Sequence, residues 1–256
     1  FKYLTNQIVV IIHNIFYKIE IALKTMIKSK REKSEFTEIF EQFLKTYSEF
    51  SEISEIARRN TYDMGRSAEA RIWIIGGFVY RPIIRALYGE IPEPSQIDID
   101  FLIERPPASE NLYFPEGWTP SVTRSGYPYL DKGKIRIDLN YLSSFHSIIA
   151  RQLSPPRLEH FFTGTPMNIQ SIAYDLTGKT VGVIGKHGIV AIKNKIVQIN
   201  NLEEAIFESE KRGMILKDFV REKAEELGFS WDLTPIHQIP DIEENHKENG
   251  KIPVRG

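Results

Sequence analysis

The chain has no cysteine, which excludes disulfides, thiolate metal sites and a cysteine nucleophile. It has almost no net charge: 33 Lys and Arg against 34 Asp and Glu leave −1. Without a global basic field, a nucleic acid would have to be held by a local patch. Long apolar runs are missing as well. The stretch 8–12 is apolar, but His13, Asn14, Lys18 and Glu20 interrupt it, well short of the about 20 residues a membrane span needs. No small-residue cleavage site follows, as a signal peptide would require. No internal repeat is found. What is there, 256 residues with 41% hydrophobic and 26% charged content, reads as a soluble globular protein expected inside a cell, with no membrane partner.

Ile8, Ile12, Ile15, Ile19, Leu23 and Met26 recur at the period of a helix. After a polar break over 29–34, Phe36, Phe40, Phe43, Tyr47 and Phe50 repeat that period to about Arg59. Two such helices predict a hairpin, an annex over 1–65 whose surface could serve a protein partner. From Arg71 the pattern changes. Residues 72–75 are apolar and run into Gly76-Gly77, so they read as a buried strand. Residues 78–88 read as a helix, disturbed early by Pro82 and stopped by Gly89 and Pro92. A strand is expected over 97–104, a long loop over 106–126, and a hairpin of 127–130 and 134–142 around Asp131-Lys132-Gly133. Short helices are expected over 143–153 and 166–174, and short strands over 181–184 and 189–199 around His187-Gly188. A long charged helix covers 202–227, weakest at Gly213, and 241–256 reads as disordered. The expected fold is α/β with a mixed sheet: a head over 66–200, a helical neck over 201–240, and the N-terminal helical hairpin before them.

Chemistry concentrates in Gln-Ile-Asp98-Ile-Asp100-Phe. Side chains alternate along a strand, so both carboxylates project from one face. Like charges this close repel unless a cation lies between them, and Mg²⁺ or Mn²⁺ prefers carboxylate and phosphate oxygens. In Lys-Ile-Arg-Ile-Asp138-Leu-Asn140, Ile135, Ile137 and Leu139 would face the core and Arg136, Asp138 and Asn140 the other side. Asp138 can then join the pair if the two strands are neighbours. Three carboxylates so placed would hold metal, activate a hydroxyl and neutralise leaving phosphates. Gly76-Gly77 between strand and helix offers backbone amides at a helix N-terminus, an anion-binding arrangement suited to a triphosphate. Arg81 and Arg85, one turn apart, would add charge. The residues predict a metal-dependent nucleotidyltransferase.

The stretch Gly76-Gly77-Phe-Val79-Tyr-Arg81 through Leu87-Tyr-Gly89, followed by Asp98-Ile-Asp100, resembles the head signature of the polymerase-β-like nucleotidyltransferase superfamily. It is most similar to class II tRNA nucleotidyltransferases (CCA-adding enzymes) and bacterial poly(A) polymerases. Gln170-Ser-Ile-Ala173-Tyr174-Asp175 resembles a second family block, and Gly185-Lys-His-Gly188 and Glu226-Leu227-Gly228-Phe229 resemble the approach to and end of the neck. The resemblance covers about Arg71 to Phe229. It implies that Asp98 and Asp100 bind Mg²⁺, that Gly76 and Gly77 contact an incoming NTP (ATP among them), and that the acceptor is an RNA 3′ end. It also makes Asn168 and Gln170 candidates for ribose or base contact, and Lys211, Arg212, Lys217 and Arg221 candidates for base selection from the neck. The chain departs from the pattern in several places. Tyr80 and Arg81 replace the family's Arg and Asp, and 164–170 lacks the family's paired arginines. No length after Phe229 is expected to hold tRNA, so CCA addition itself is not expected.

Other readings belong beside this one. His160 and His187 could act as bases, though hydrogen-bonded surface roles suit them better. Tyr113, Phe114 and Trp118 could stack on a base or pin the long loop. A non-catalytic structural or RNA-binding subunit, and a transferase acting on a protein or small-molecule hydroxyl, are the alternatives to RNA nucleotidyl transfer.

Overall fold

The computed structural model describes residues 35–61, 70–106, 112–123, 126–178 and 182–236. The expected helix over 8–26 and the polar tail over 241–256 lie outside them. Among the described residues the protein is a mixed α/β structure with a seven-stranded sheet. Its strands are β1 (Ile72–Ile75), β2 (Ile97–Ile103), β3 (Thr119–Val122), β4 (Pro128–Lys132), β5 (Ile135–Tyr141), β6 (Ala173–Asp175) and β7 (Val183–Ile184), in the order β3-β4-β5-β2-β1-β6-β7. Only β2 and β5 pair in parallel; the other neighbours are antiparallel. A separate parallel pair joins β8 (Ile196–Gln198) to β9 (Ser230–Asp232).

Both faces of the central strands are covered, which is why β1 is apolar at every position. One face, with Ile72, Ile74, Ile99, Phe101, Ile137 and Leu139, joins the main core. Helices α1 (35–46), α2 (Phe50–Arg59), α3 (Gly77–Tyr88), α6 (Lys186–Asn194) and α8 (Leu216–Leu227) all contribute to it. The other face carries Trp73, Ile75 and Leu102, packed with Ile148 of α4 (His146–Ala150) and Phe161 of α5 (Leu158–Gly164). Helix α7 (Leu202–Lys211) precedes α8.

Several expectations shift. The aromatic stripe continues through 36–50 but belongs to two helices, α1 and α2, parted at 47–49. Phe40, Phe43 and Tyr47 pack around Phe78 with ring centroids 5.3 to 6.3 Å apart, so the stripe is core. The long loop contains an edge strand, β3, all of it exposed; Pro120 is tolerated there because edge positions can spare a donor. Residues 166–174 are not a helix: a single 3₁₀ turn over Asn168–Gln170 gives way to β6, which takes up the free edge of β1. Residues 189–194 are helical rather than extended. Gly185 begins α6 at φ 117°, and a Cβ on Gly188 would stand 2.7 Å from the Ser171 carbonyl oxygen. Gly188 therefore serves close packing of a helix, where the sequence suggested a turn. The long charged helix breaks at Gly213, φ 68°, into α7 and α8.

Candidate active site

The Asp-x-Asp pair stands on β2, on the face away from the main core. Ile99 and Phe101 are fully buried on the other side, and this alternation fixes the orientation of the carboxylates. Parallel pairing sets Asp98 opposite Arg136, Asp100 opposite Asp138 and Leu102 opposite Asn140. Neighbouring strands lie about 4.8 Å apart, so the register brings all three acids onto one patch of sheet. Their electrostatics reflect it. Burial, then the charges of Asp138 and Asp98, push the Asp100 carboxyl up to about 7. Asp98 is raised by burial and by Asp138, against the pull of Arg136. Asp138 is also raised by burial, although its hydrogen bonds from Arg136 work the other way. Those bonds are firm: Arg136 Nε and Nη2 donate to Asp138 at 3.1 to 3.2 Å, and the guanidinium stacks 3.8 Å over Tyr129. As they stand, no three such groups among the described residues are gathered closely enough to hold a metal ion.

The Gly-Gly turn lies against this patch. Gly76 adopts φ 68°, ψ −140°, a region that side chains enter only with strain, and a Cβ there would meet Asp100 Oδ2 at 3.5 Å. The Val79 and Tyr80 amides already donate to the Gly76 carbonyl, at 3.1 and 3.2 Å, which leaves the Gly77 and Phe78 amides as the open start of α3. The φ of Gly76 turns the chain sharply from β1 into α3, so these amides open beside the carboxylates. A Cβ on Gly77 would stand 3.4 Å from Arg81 Nε and 3.7 Å from Tyr80 Oη, so both side chains fold back over the turn.

A cleft of about 740 Å³ opens here, and its lining includes Gly76, Gly77, Asp98, Asp100, Arg81 and Arg85. Gln170 also lines it, its Oε1 accepting from the Met167 amide at 3.3 Å. Asn168 does not reach it. That residue is 2% exposed; its amide group donates to the Ile196 carbonyl and accepts from the Ile169 and Gln198 amides. With these bonds made, Asn168 ties the 3₁₀ turn to β8, and the expectation of ribose or base contact is corrected. Of the four neck candidates, Arg212 lines the cleft. Lys211 pairs with Glu208, Arg221 with Asp218, and Lys217 lies 5.8 Å from the Trp231 ring centre.

The cleft also holds Tyr80, noted in the sequence only as a departure from the family pattern, and Lys134, Lys223, Glu204 and Glu208, which the sequence did not single out. Glu204, Glu208 and Lys223 arrive by the packing of α7 and α8 against the head, which nothing in their spacing announces, whereas Tyr80 belongs to α3 and Lys134 to the turn between β4 and β5. Burial works to lower the Lys223 ammonium, but Tyr80 and its hydrogen-bonded partner Glu226 hold it above its ordinary value. His160 and His187 are accounted for by bonds to the Arg157 amide and to Asn200. Tyr113 is pinned to α2 by two hydrogen bonds with Asn60 and lies under Arg59, and Trp118 is 4% exposed. These two rings hold the loop down, while Phe114 remains exposed.

No family model matches the chain, and neither does any curated protein. Solved structures do show similarity. One described as a tRNA-processing enzyme with CTP is 17% identical with a TM-score of 0.43, covering 70% of this chain and 43% of its own. A tRNA nucleotidyltransferase complexed with a primer tRNA and an incoming ATP analog is 18% identical at 0.42, covering 70% and 46%. A CCA-adding enzyme with ATP is 16% identical at 0.40, covering 64% and 35%. The chain thus spans less than half the length of each. Similarity at this level bears no weight beside the sheet order and the site residues themselves. Among the described residues no helix is long and apolar enough to cross a membrane.

Proposed function

We propose that this protein transfers a nucleoside monophosphate from an NTP to a hydroxyl acceptor, an RNA 3′ end, and releases pyrophosphate. The observation that supports this reading is the polarity of one cleft. Asp98 and Asp100 form one wall, with Asp138 beside them in register; Arg81, Arg85, Lys134, Arg212 and Lys223 line the cleft elsewhere, interspersed with Glu93, Glu204 and Glu208. A metal–triphosphate complex has the matching polarity. The donor chemistry suits Mg²⁺ or Mn²⁺: all-oxygen, on adjacent strands, and electrostatically unfavourable without a cation, as the raised carboxyls indicate, although the ion would have to draw the three carboxylates closer than they now stand. When bound by Asp98, Asp100 and Asp138, such an ion would activate the acceptor hydroxyl and offset charge on the leaving phosphates.

The chain's own residues do the rest. The α3 amides and Arg81 orient the phosphates at the Gly-Gly turn, and Arg85 adds charge one turn along. Gln170 faces the same space and is the remaining candidate for nucleotide contact. Apolar Phe43, Phe78 and Phe161 on the lining limit water around the reacting groups.

The test is incubation with labelled NTPs, Mg²⁺ or Mn²⁺ and a pool of RNA. Extension of RNA that disappears in Asp98→Ala and Asp100→Ala supports the proposal. Label on protein or on a small molecule moves the acceptor to another class. A second reading, a non-catalytic binding subunit, is favoured by the ion pairs that Arg136 makes with Asp138 and Arg81 with Glu226. No transfer to any acceptor and no nucleotide-dependent thermal shift would sink the enzyme reading.

A further inference from the structure

Arg81 is not open to ligand in this structure. Its guanidinium is ion-paired with Glu226 of α8, and Lys223, one turn earlier on that helix, donates to the same carboxylate at 2.6 Å. Glu226 thus binds two cations that line the cleft from different elements, although it is not itself part of the cleft lining. It lies instead on a second cavity of about 240 Å³, formed where α3 and α8 end, together with Lys195 and Tyr88. Lys195 rests there with its ammonium 3.9 Å from the centre of the Tyr88 ring. One carboxylate is therefore shared between a cationic pair facing the cleft and a cavity on its far side that contains another cation.

We infer that Glu226 is a built-in competitor for a polyphosphate subsite formed by Arg81 and Lys223, so that an anion binds there by displacing it. The inference rests on the nucleotidyltransferase reading only for the identity of the anion. A polyphosphate offers several oxygens to Arg81, Lys223 and the α3 amides, where Glu226 offers two. A carboxylate tethered on the same helix as Lys223 competes at high effective concentration, so the subsite binds weak or singly charged anions poorly. Displaced, Glu226 has the second cavity and Lys195 to turn to. Binding of the phosphate chain is thereby coupled to the packing of α8 on α3.

The experiment titrates inorganic tripolyphosphate, without divalent metal, into wild type, Glu226→Gln, Arg81→Gln and Lys223→Gln by calorimetry. Losing one charge-assisted competitor should tighten binding to Glu226→Gln about tenfold. Arg81→Gln and Lys223→Gln should each weaken binding several-fold or more. Hydrogen exchange along α8 should rise when tripolyphosphate is added to wild type and change little in Glu226→Gln. Equal or weaker binding by a folded Glu226→Gln, or no binding to either protein, overturns the inference. If Glu226→Gln does not fold, Glu226→Asp decides by the same sign, because its shorter reach weakens the competitor. The transfer reaction is scored separately with Asp98→Asn, which leaves the cationic pair intact, so the two ideas fail independently.

Discussion

The two walls of the cleft solve opposite electrostatic problems. The acidic wall stands on β2 and β5, strands whose far sides are locked into the main core, and its charges are poorly compensated. Asp100, of intermediate exposure on β2, has two like charges beside it, and only Asp138 has a strong cationic partner, Arg136. The basic wall stands mostly on and at the ends of helices, with Lys134 in the β4–β5 turn, and most of its charges are answered: Arg81 and Lys223 by Glu226, Arg85 by Glu90 and Glu93, Arg212 by Glu208. A wall that lacks counter-charge is one that a cation would stabilise. A wall already paired must exchange partners, so its binding is a competition.

The comparison breaks most visibly at the acids. If the acidic wall is where chemistry happens, Asp98→Ala or Asp100→Ala should cut labelled transfer by on the order of 10³-fold or more, as loss of transition-state electrostatics does. Inorganic tripolyphosphate should still bind both variants. Transfer that survives either substitution would remove the acidic wall from the mechanism.

The same residue should show the opposite effect on stability. Asp100 is raised to about 7 in the folded protein, against about 3.9 for an unperturbed Asp. Between those values the folded state holds more protons than the unfolded one, so stability falls as pH rises from about 4 through 7. Asp100→Asn removes that loss. At pH 8 it should stabilise the protein by on the order of 2 kcal/mol once partial solvent access is allowed for, and at pH 4 the difference should vanish. Chemical denaturation at the two pH values measures it. Because metal competes with the proton, Mn²⁺ should stabilise wild type more at pH 8 than at pH 6, and Asp100→Asn much less at either. A stabilisation that does not depend on pH would mean that Asp100 is already relieved by groups other than a cation.

Legibility followed the same division. The acidic wall could be read in the chain because strand alternation is local: Ile99 and Phe101 point one way, so Asp98 and Asp100 must point the other. Asp138 was legible as far as its face, and only the parallel register of β2 with β5 sets it beside Asp100. The basic wall was half legible. Arg81 and Arg85 sit on the helix after Gly76-Gly77, but Lys223 and Glu226 lie 142 and 145 positions beyond Arg81 in the sequence and meet it through tertiary packing alone. Asn168 misled for a related reason. A buried asparagine that satisfies its own chain's carbonyl and amides looks, in sequence, like one offered to a ligand. In the fold, Gly188 misled because glycine serves close packing as readily as turns.

Arg136 is where the walls' two conditions meet, since it partly compensates the acids with a local cation. Arg136→Gln should free Asp138 and tighten Mn²⁺ binding by about three- to tenfold, the range of one lost charge-assisted hydrogen-bonded partner. It should also lower metal-free stability by roughly 1 kcal/mol, because Asp138 then faces Asp100 unaided. Electron paramagnetic resonance of free Mn²⁺ reads the first and thermal unfolding the second. Unchanged Mn²⁺ affinity would show that Arg136 holds Asp138 without guarding it.

The smallest effect belongs to Arg85, and it tests whether pairing on the basic wall must be well made to matter. Its partners Glu90 and Glu93 are 85% and 79% exposed, at 3.1 and 3.4 Å. The Arg85 Nε, although buried, makes no hydrogen bond of good geometry. Exposed pairs of this kind contribute about 0.5 kcal/mol or less. Arg85→Gln should therefore leave the melting temperature almost unchanged, raise the KM for NTP about two- to fourfold through lost long-range charge, and leave kcat alone. The KM effect should fade at 0.5 M salt, where screening reaches within a few ångströms. By contrast, Arg81 is proposed to meet phosphates by direct contact once Glu226 is displaced, so Arg81→Gln should keep most of its KM penalty in high salt. If the two variants responded alike to salt, the distinction between a paired cation that must be displaced and one that only adds field would fail.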